Sequence, residues 1–284
     1  MRRVLQRIIA AVLVVGWTLA FWAFWLEPRS LVIREHRVPV DGLQAPVRVL
    51  LVGDLQPAGP HETPARLATI VDRLAATEPD LVVWAGDFVS ERRTSTSFTH
   101  PADMAAAVGQ LQPPLGQLAV LGNHDWWWDG PEVERLLEAQ GVRVLRDERV
   151  RLGEDAGGLV VAGLEDPVTR RWDLDATLAG VRAEEPTLLL THTPDVFPEV
   201  PDHVDLTLAG HTHCGQVTLP GLGRPVVPSA YGERFAAGWH GRDGHALFVT
   251  CGIGTAILPV RFGNPPEAVV LELVPADERV ARRP

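Results

Sequence analysis

Apolar positions along the chain fall into one long run and a series of short ones. The long run, Ile8–Leu26, holds no charged residue; Arg2, Arg3 and Arg7 precede it and Glu27-Pro28-Arg29 closes it. At ~1.5 Å rise per residue it nearly matches the ~30 Å hydrocarbon layer of a bilayer, which predicts one membrane-spanning helix within residues 1–30. Trp17, Phe21, Trp22, Phe24 and Trp25 crowd its C-terminal end, where amphipathic rings favour the headgroup level. The alternative is a cleaved signal peptide, but the bulky run Phe21–Trp25 offers no clear small-x-small cleavage site. With arginines leading the helix, residues 31–284 are expected outside the cytoplasmic (inner) membrane, facing the periplasm if the cell is Gram-negative and the exterior otherwise.

The shorter runs are strand-like and alternate with helix-like segments. Leu31–Val38 and Val47–Val52 read as extended, split by the turn region Pro39/Asp41-Gly42. Strands are predicted at 48–53, 81–85, 118–121, 158–163, 187–191, 205–209, 246–251 and 267–273. Helices are predicted at 63–76, 101–111 and 131–139, the last opening with Asp129-Gly130-Pro131-Glu132, where proline and acids favour a helix N-terminus. The pattern is α/β in its first half and richer in strand in its second, with no repeat and no internal linker. One domain over residues 31–284 is expected.

Composition narrows the chemistry. With 284 residues, 46% of them hydrophobic, the chain has material for a full core and is neither disordered nor collagen-like, and two cysteines do not make a disulfide-stapled miniprotein. The net charge is −10; residues 1–30 contribute +3 through Arg2, Arg3, Arg7 and Arg29 against Glu27, which leaves −13 on the body. An acidic body argues against a nucleic-acid partner and suits a cationic cofactor. There is no lysine, which removes Schiff-base and P-loop lysine chemistry. Cys214 and Cys251 can pair in an oxidising compartment or stand as buried small hydrophobes.

Polar residues recur at the ends of the predicted strands. Asp54 follows Val49–Gly53; Asp87 follows Leu81–Gly86; Asn123-His124-Asp125 follows Val120-Leu121-Gly122; His192 follows Leu188–Thr191; His211-Thr212-His213 follows Leu208-Ala209-Gly210. Loops at the carboxyl ends of strands in an α/β sheet converge on one side, so these residues can share a site. Singly, each has a plainer explanation as a turn, a cap or an exposed pair. Five such strand ends in one chain make a common metal-type site the better explanation.

The set Asp54-Leu55-Gln56, Gly86-Asp87, Gly122-Asn123-His124-Asp125, His192 and Gly210-His211-Thr212-His213 resembles the calcineurin-like metallophosphoesterase superfamily over roughly residues 46–274. Gly210–Val217, Gly252–Thr255 and Leu258–Arg261 resemble its membrane-associated or exported bacterial branch. The resemblance implies a four-layer β-sandwich flanked by helices and a centre of two divalent cations, Mn, Fe or Zn. Asp87 would bridge them, Asp54 and His213 would hold the first, and Asn123, His192 and His211 the second. A water activated between the cations would hydrolyse a phosphodiester, pyrophosphate or monoester, with His124 contacting the phosphate and Asp125 fixing its orientation. Gln56 stands where most relatives carry a ligand histidine. It can ligate through its amide oxygen, leave a position for water, or weaken the first site, and the last case motivates the alternative of a catalytically weak or inactive metal-binding pseudoenzyme.

Several neighbours remain as candidates. Trp126-Trp127-Trp128 can pack the loop or form an apolar rim for a lipid-linked substrate. Arg92, Arg93, Arg234 and Arg261 are candidate phosphate clamps or surface charges. Cys214 is a spacer or an additional soft ligand. His36, His61, His100, His203, His240 and His245 show no partner pattern and are read as surface or structural.

Overall fold

The computed structural model describes residues 1–90, 95–153, 157–242 and 244–276. Two six-stranded mixed sheets face each other. The first contains β1 (Val32–Val40), β2 (Val47–Val52), β3 (Leu81–Trp84), β4 (Gln117–Ala119), β5 (Val142–Val144) and β12 (Glu267–Pro275), in the order β1-β12-β2-β3-β4-β5. The second contains β6 (Glu148–Arg151), β7 (Val160–Gly163), β8 (Thr187–Leu190), β9 (Leu206–Ala209), β10 (Gly238–Arg242) and β11 (His245–Val249), in the order β10-β11-β9-β8-β7-β6. Strands β2 to β5 run parallel, as do β7, β8, β9 and β11, with antiparallel partners toward the edges.

Period-two alternation builds the layers. Val49, Leu51, Leu81 and Val83 point inward against Val161, Leu188, Leu190 and Leu208 of the other sheet. Leu50, Val52, Val82 and Trp84 point outward, under α2 (Pro64–Ala75), α3 (Pro101–Val108) and α4 (Asn123–Glu138). Because strands of the first sheet are covered on both faces, they read as continuous apolar runs. The outer face of the second sheet is covered by α5 (Leu174–Leu178) and the 3-10 turns Pro194–Glu199 and Gly232–Phe235. The expected α/β sandwich with helical outer layers is borne out.

The helices follow their caps. Thr63 accepts from Arg66 N at 3.3 Å with Pro64 in the first turn, and Leu67, Ile70, Val71 and Leu74 form the buried face of α2. His100, one of the histidines without a partner pattern, caps α3 through Nδ1 to Ala102 N at 3.2 Å. Two expectations shift. The helix expected at 131–139 begins earlier, at Asn123, and is kinked at Asp129 (φ −170°, ψ 86°), so Gly130-Pro131 marks a restart. Strands β5, β6 and β10 and helix α5 were not expected; all are short and three lie at sheet edges or beyond.

Ahead of the sandwich, α1 (Arg2–Phe21) buries no residue and is long and apolar enough to cross a membrane. It runs through a π-helical turn, Trp22–Leu26, into a 3-10 turn, Glu27–Arg29, where Ala23, Glu27 and Pro28 are buried against the body.

Candidate metal centre

The parallel strands of both sheets end at one edge of the sandwich, and the predicted polar residues meet there. Asp54 leaves β2, Asp87 leaves β3, Asn123 opens α4 after β4, His192 leaves β8, and His211 and His213 follow β9. Two groups share Asp87: Asp54, Asp87 and His213 in one, Asp87, His192 and His211 in the other, each with ligand atoms within 4.8 Å of one another. Gln56 is buried beside them and donates from Nε2 to Asp87 Oδ2 at 2.9 Å.

Crowding sets the backbone here. Of the nine non-glycine residues with positive φ among the described residues, Asp54, Gln56, Asp87, His211 and His213 belong to the site, and Cys214 and Gln216 follow directly. Such left-handed geometry costs energy and gathers where structure over-determines it for function. The glycines beside these residues are required by close approach: a Cβ on Gly252 would lie 2.6 Å from Asp54 Cβ.

The donor set asks for cations. His192 Nδ1 lies 2.7 Å from the Ala85 carbonyl, an acceptor, so Nδ1 carries hydrogen and Nε2 presents its lone pair. That Nε2 faces Asn123 Oδ1 at 3.1 Å, His211 Nδ1 at 3.1 Å and Asp87 Oδ2 at 3.4 Å. Converging lone pairs repel unless a positive charge sits among them, and without metal the protein supplies a proton. Burial opposes charge on His192, but Asp87 and Asp54 outweigh it and push the imidazole up to about 10. Asp87 is correspondingly held well below the ordinary carboxylate range: burial works against this, and His192 wins. Burial, relieved by His192 and reinforced by Asp87, pushes Asp54 up to about 7. Burial and the neighbouring His192 charge lower His211 to about 3; burial and Arg261 lower His213. Gln56 Oε1 and His213 Nδ1 are buried and have no hydrogen-bond partner. Both fit a role as ligands.

Asp125 does something other than expected. Its oxygens accept from the backbone amides of Asp87 (2.9 Å), Val89 (3.0 Å) and Gly122 (2.9 Å), so it joins the β3 loop to the start of α4 and is turned to these amides, not to the His124 ring. The His124 amide donates to Asp87 Oδ1 at 2.9 Å, while its Nδ1 is unpartnered and its ring meets Trp127 edge-on at 4.9 Å. The tryptophans divide. Trp126 and Trp128 pack against the core cluster, Trp126 under the Arg170 guanidinium at 3.9 Å, and Trp127 is 54% exposed.

The neighbouring candidates resolve one by one. Arg261 is not a phosphate clamp: it is fully buried, and its guanidinium donates to the carbonyls of Cys251, Gly252, Gly254 and Asn264. Gly254 N in turn donates to Asp54 O at 2.7 Å. Cys214 is bonded to Cys251 in a disulfide, which rules out a thiolate ligand and ties the loop of His213 to that of Gly252. Arg234 lies on the surface against Phe235 and Tyr231. Arg92 and Arg93 lie outside the described residues. His36, His61, His240 and His245 make local ring or carbonyl contacts.

A cleft of about 410 Å³ opens at His211, walled by Pro167, Val168, Trp172, Val196 and Pro228, with Asp195 as its charged residue. Neither Trp172 nor Asp195 carries a motif that could have singled it out; the pocket exists only once loops from β7, β8 and β9 meet. Another cavity, about 320 Å³ beside Arg37, Asp205 and Trp239, contains none of the site residues.

Comparison with known proteins agrees with the geometry. The family model described as calcineurin-like phosphoesterase matches residues 47–215. The chain is 29% identical over 262 residues to the uncharacterized metallophosphoesterase YkuE of Bacillus subtilis (strain 168), covering 89% of this chain and 88% of that protein. It is 28% identical over 258 residues to an uncharacterized metallophosphoesterase of Aquifex aeolicus (strain VF5), 87% and 94% of the two chains. It is 28% identical over 259 residues to the phosphodiesterase YaeI of Escherichia coli (strain K12), 88% and 91% of the two.

Proposed function

The chain belongs to the calcineurin-like phosphoesterase family, and from that premise we propose that it hydrolyses a phosphoester with two divalent cations held by the paired clusters. Asp54, His213 and Gln56 Oε1 would hold one, Asn123, His192 and His211 the other, and Asp87 both. The observation that carries this is the convergence of Asn123 Oδ1 (3.1 Å) and Asp87 Oδ2 (3.4 Å) on His192 Nε2, beside the unpartnered Gln56 Oε1 and His213 Nδ1. A mixed N/O set suits Mn, Fe or Zn better than Ca. Bound there, the cations supply Lewis acidity that acidifies water and neutralises phosphoryl oxygens. The unpartnered Gln56 oxygen supports ligation and speaks against an inactive site.

The protein's own groups do the rest. His124 contacts the phosphate and protonates the leaving oxygen, and Asp125 is a positioning residue that holds the loops of Asp87 and Asn123. The remainder of the substrate lies in the cleft beside Trp172. Among the described residues its walls hold no arginine, and apart from His211 at the metal edge no cationic group, which favours an apolar ester group over a second phosphate and points to a lipid-borne phosphoester, with Trp127 at the rim.

The N-terminal helix is read as an uncleaved anchor, with a catalytic domain over residues 31–284 in an oxidising compartment outside the inner membrane. The buried Ala23, Glu27 and Pro28 support retention of the helix, because cleavage would expose their packing face, and the disulfide supports the compartment. On this reading the chain would fall in the membrane-associated branch.

Elemental analysis of the purified full chain, with rates on p-nitrophenyl phosphate and bis(p-nitrophenyl) phosphate, tests the proposal. About two metal atoms per chain are expected, lost together with activity in Asp87→Asn. Undiminished turnover after exhaustive chelation would sink it. C-terminal reporter fusions test the topology.

A further inference from the structure

The end of the N-terminal helix is bonded to the loops that shape the metal-site edge. Ala23 O accepts from Arg261 N at 3.0 Å, and the Arg261 side chain holds the carbonyls of Gly252 and Gly254, the strand end that packs on Asp54. Arg29 donates to Pro60 O at 2.9 Å, and His61 in turn lies 3.0 Å from Pro259 O. One buried arginine thus separates the membrane-length helix from a candidate ligand.

The same loops present apolar side chains to the outside. Ile257 is 76% exposed, Leu258 48%, Leu222 80% and Val226 62%. Gln216, three residues after His213, joins the two segments: its Nε2 donates to Leu258 O and Val260 O, its Oε1 accepts from Ala256 N, and Thr218 N donates to Phe262 O. Val217–Pro228 carries only Arg224 as a charge and Ala256–Val260 carries none, on a body whose net charge is −13. Exposed apolar patches of this kind mark interaction sites, and one continuous with a membrane helix is suited to lipid.

We propose that Ala256–Val260 and the Leu219–Gly223 turn form a second membrane contact, a collar that enters the leaflet beside the helix and sets the metal-site edge at the headgroups. This rests on the anchored-enzyme reading. It makes the helix a positioning element as well as a tether, since the cleft is presented at a set height above the acyl chains.

The test uses the full chain in nanodiscs of phosphatidylcholine and phosphatidylglycerol doped with a nitroxide-headgroup lipid. Ile257→Cys and Leu222→Cys each introduce a single labelling site, because Cys214 and Cys251 are bonded to each other. Glu184→Cys, on the loop entering β8 at the opposite end of the strands, is the control. A fluorophore at 257 or 222 should be quenched at least threefold more than one at 184. Separately, Ile257→Asp with Leu258→Asp should lower hydrolysis of a fluorogenic phosphodiester lipid at least tenfold and leave bis(p-nitrophenyl) phosphate within twofold. Equal quenching at 257 and 184 in a chain that stays membrane-bound, or unchanged lipid hydrolysis in the double variant, overturns the collar alone. Release of the native chain by alkaline carbonate, or inactivity on both substrates, overturns the anchored-enzyme reading beneath it.

Discussion

Gly122 has no room for a side chain, since a Cβ there would collide with Asp87 Oδ1 and lie 2.7 Å from Asp87 N. Gly122→Ala is expected to cost about 1–3 kcal/mol in denaturant unfolding, as overpacking does, and to lower metal content by displacing the shared carboxylate. The tryptophan run offers a finer discrimination. Trp128→Ala, which removes a ring packed on the core, should destabilise by about 2 kcal/mol. Trp127→Ala should stay within about 0.5 kcal/mol of the parent and instead raise KM for a lipid phosphodiester, measured beside a soluble one. At this scale the candidate ligand side chains that converge were legible in the sequence because each follows an apolar run. The partners of Asp125 were not: its three donors are backbone amides, which every residue possesses, and only their spatial convergence selects them.

Between elements, the loops after β9 and β11 carry His213 and Gly252 and are joined by the Cys214–Cys251 disulfide, whose partners are 37 residues apart. Chain-entropy reasoning puts the cross-link at about 4 kcal/mol. Cys214→Ala with Cys251→Ala should therefore lower the urea midpoint markedly and reduce hydrolysis along with it, because His213 and the Asp54 support lose their common tie. Equal activity in the oxidised protein and the double variant would show that the tie serves stability alone. The strand ends that carry the candidate ligands lie close to the expected positions. Helix α4 was not, because Asn123–Trp128 lacks a helical apolar period and Gly130-Pro131 imitates a start; tertiary packing of Trp126 and Trp128 makes the earlier turn helical.

For the whole molecule, the buried charges make stability depend on pH and metal together. Burial, with Asp87 adding to it, raises Asp54 to about 7 and Asp125 to about 8, so in metal-free protein their stabilising protons are lost as pH rises through those values. His192, raised to about 10 by its carboxylates against burial, loses its contribution higher still. His211 and His213 are lowered, so they favour folding as pH rises toward 6.5 and offset the carboxyls below that point. Metal-free protein should thus lose thermal stability steadily from about pH 6.5 to 10, and added Mn or Zn should flatten the decline; calorimetry with and without metal checks both. The sequence by itself determined the apolar helix, the alternating layers, the order of the candidate ligands and the absence of lysine chemistry, because these follow from local periodicity and residue type. Tertiary structure alone decided that Arg261 holds carbonyls and not phosphate, that the two distant cysteines pair, and that the helix end bears on the Asp54 loop. Those contacts join residues far apart in the chain, and their energy comes from burial and hydrogen bonding that exist only after both sheets have closed on each other.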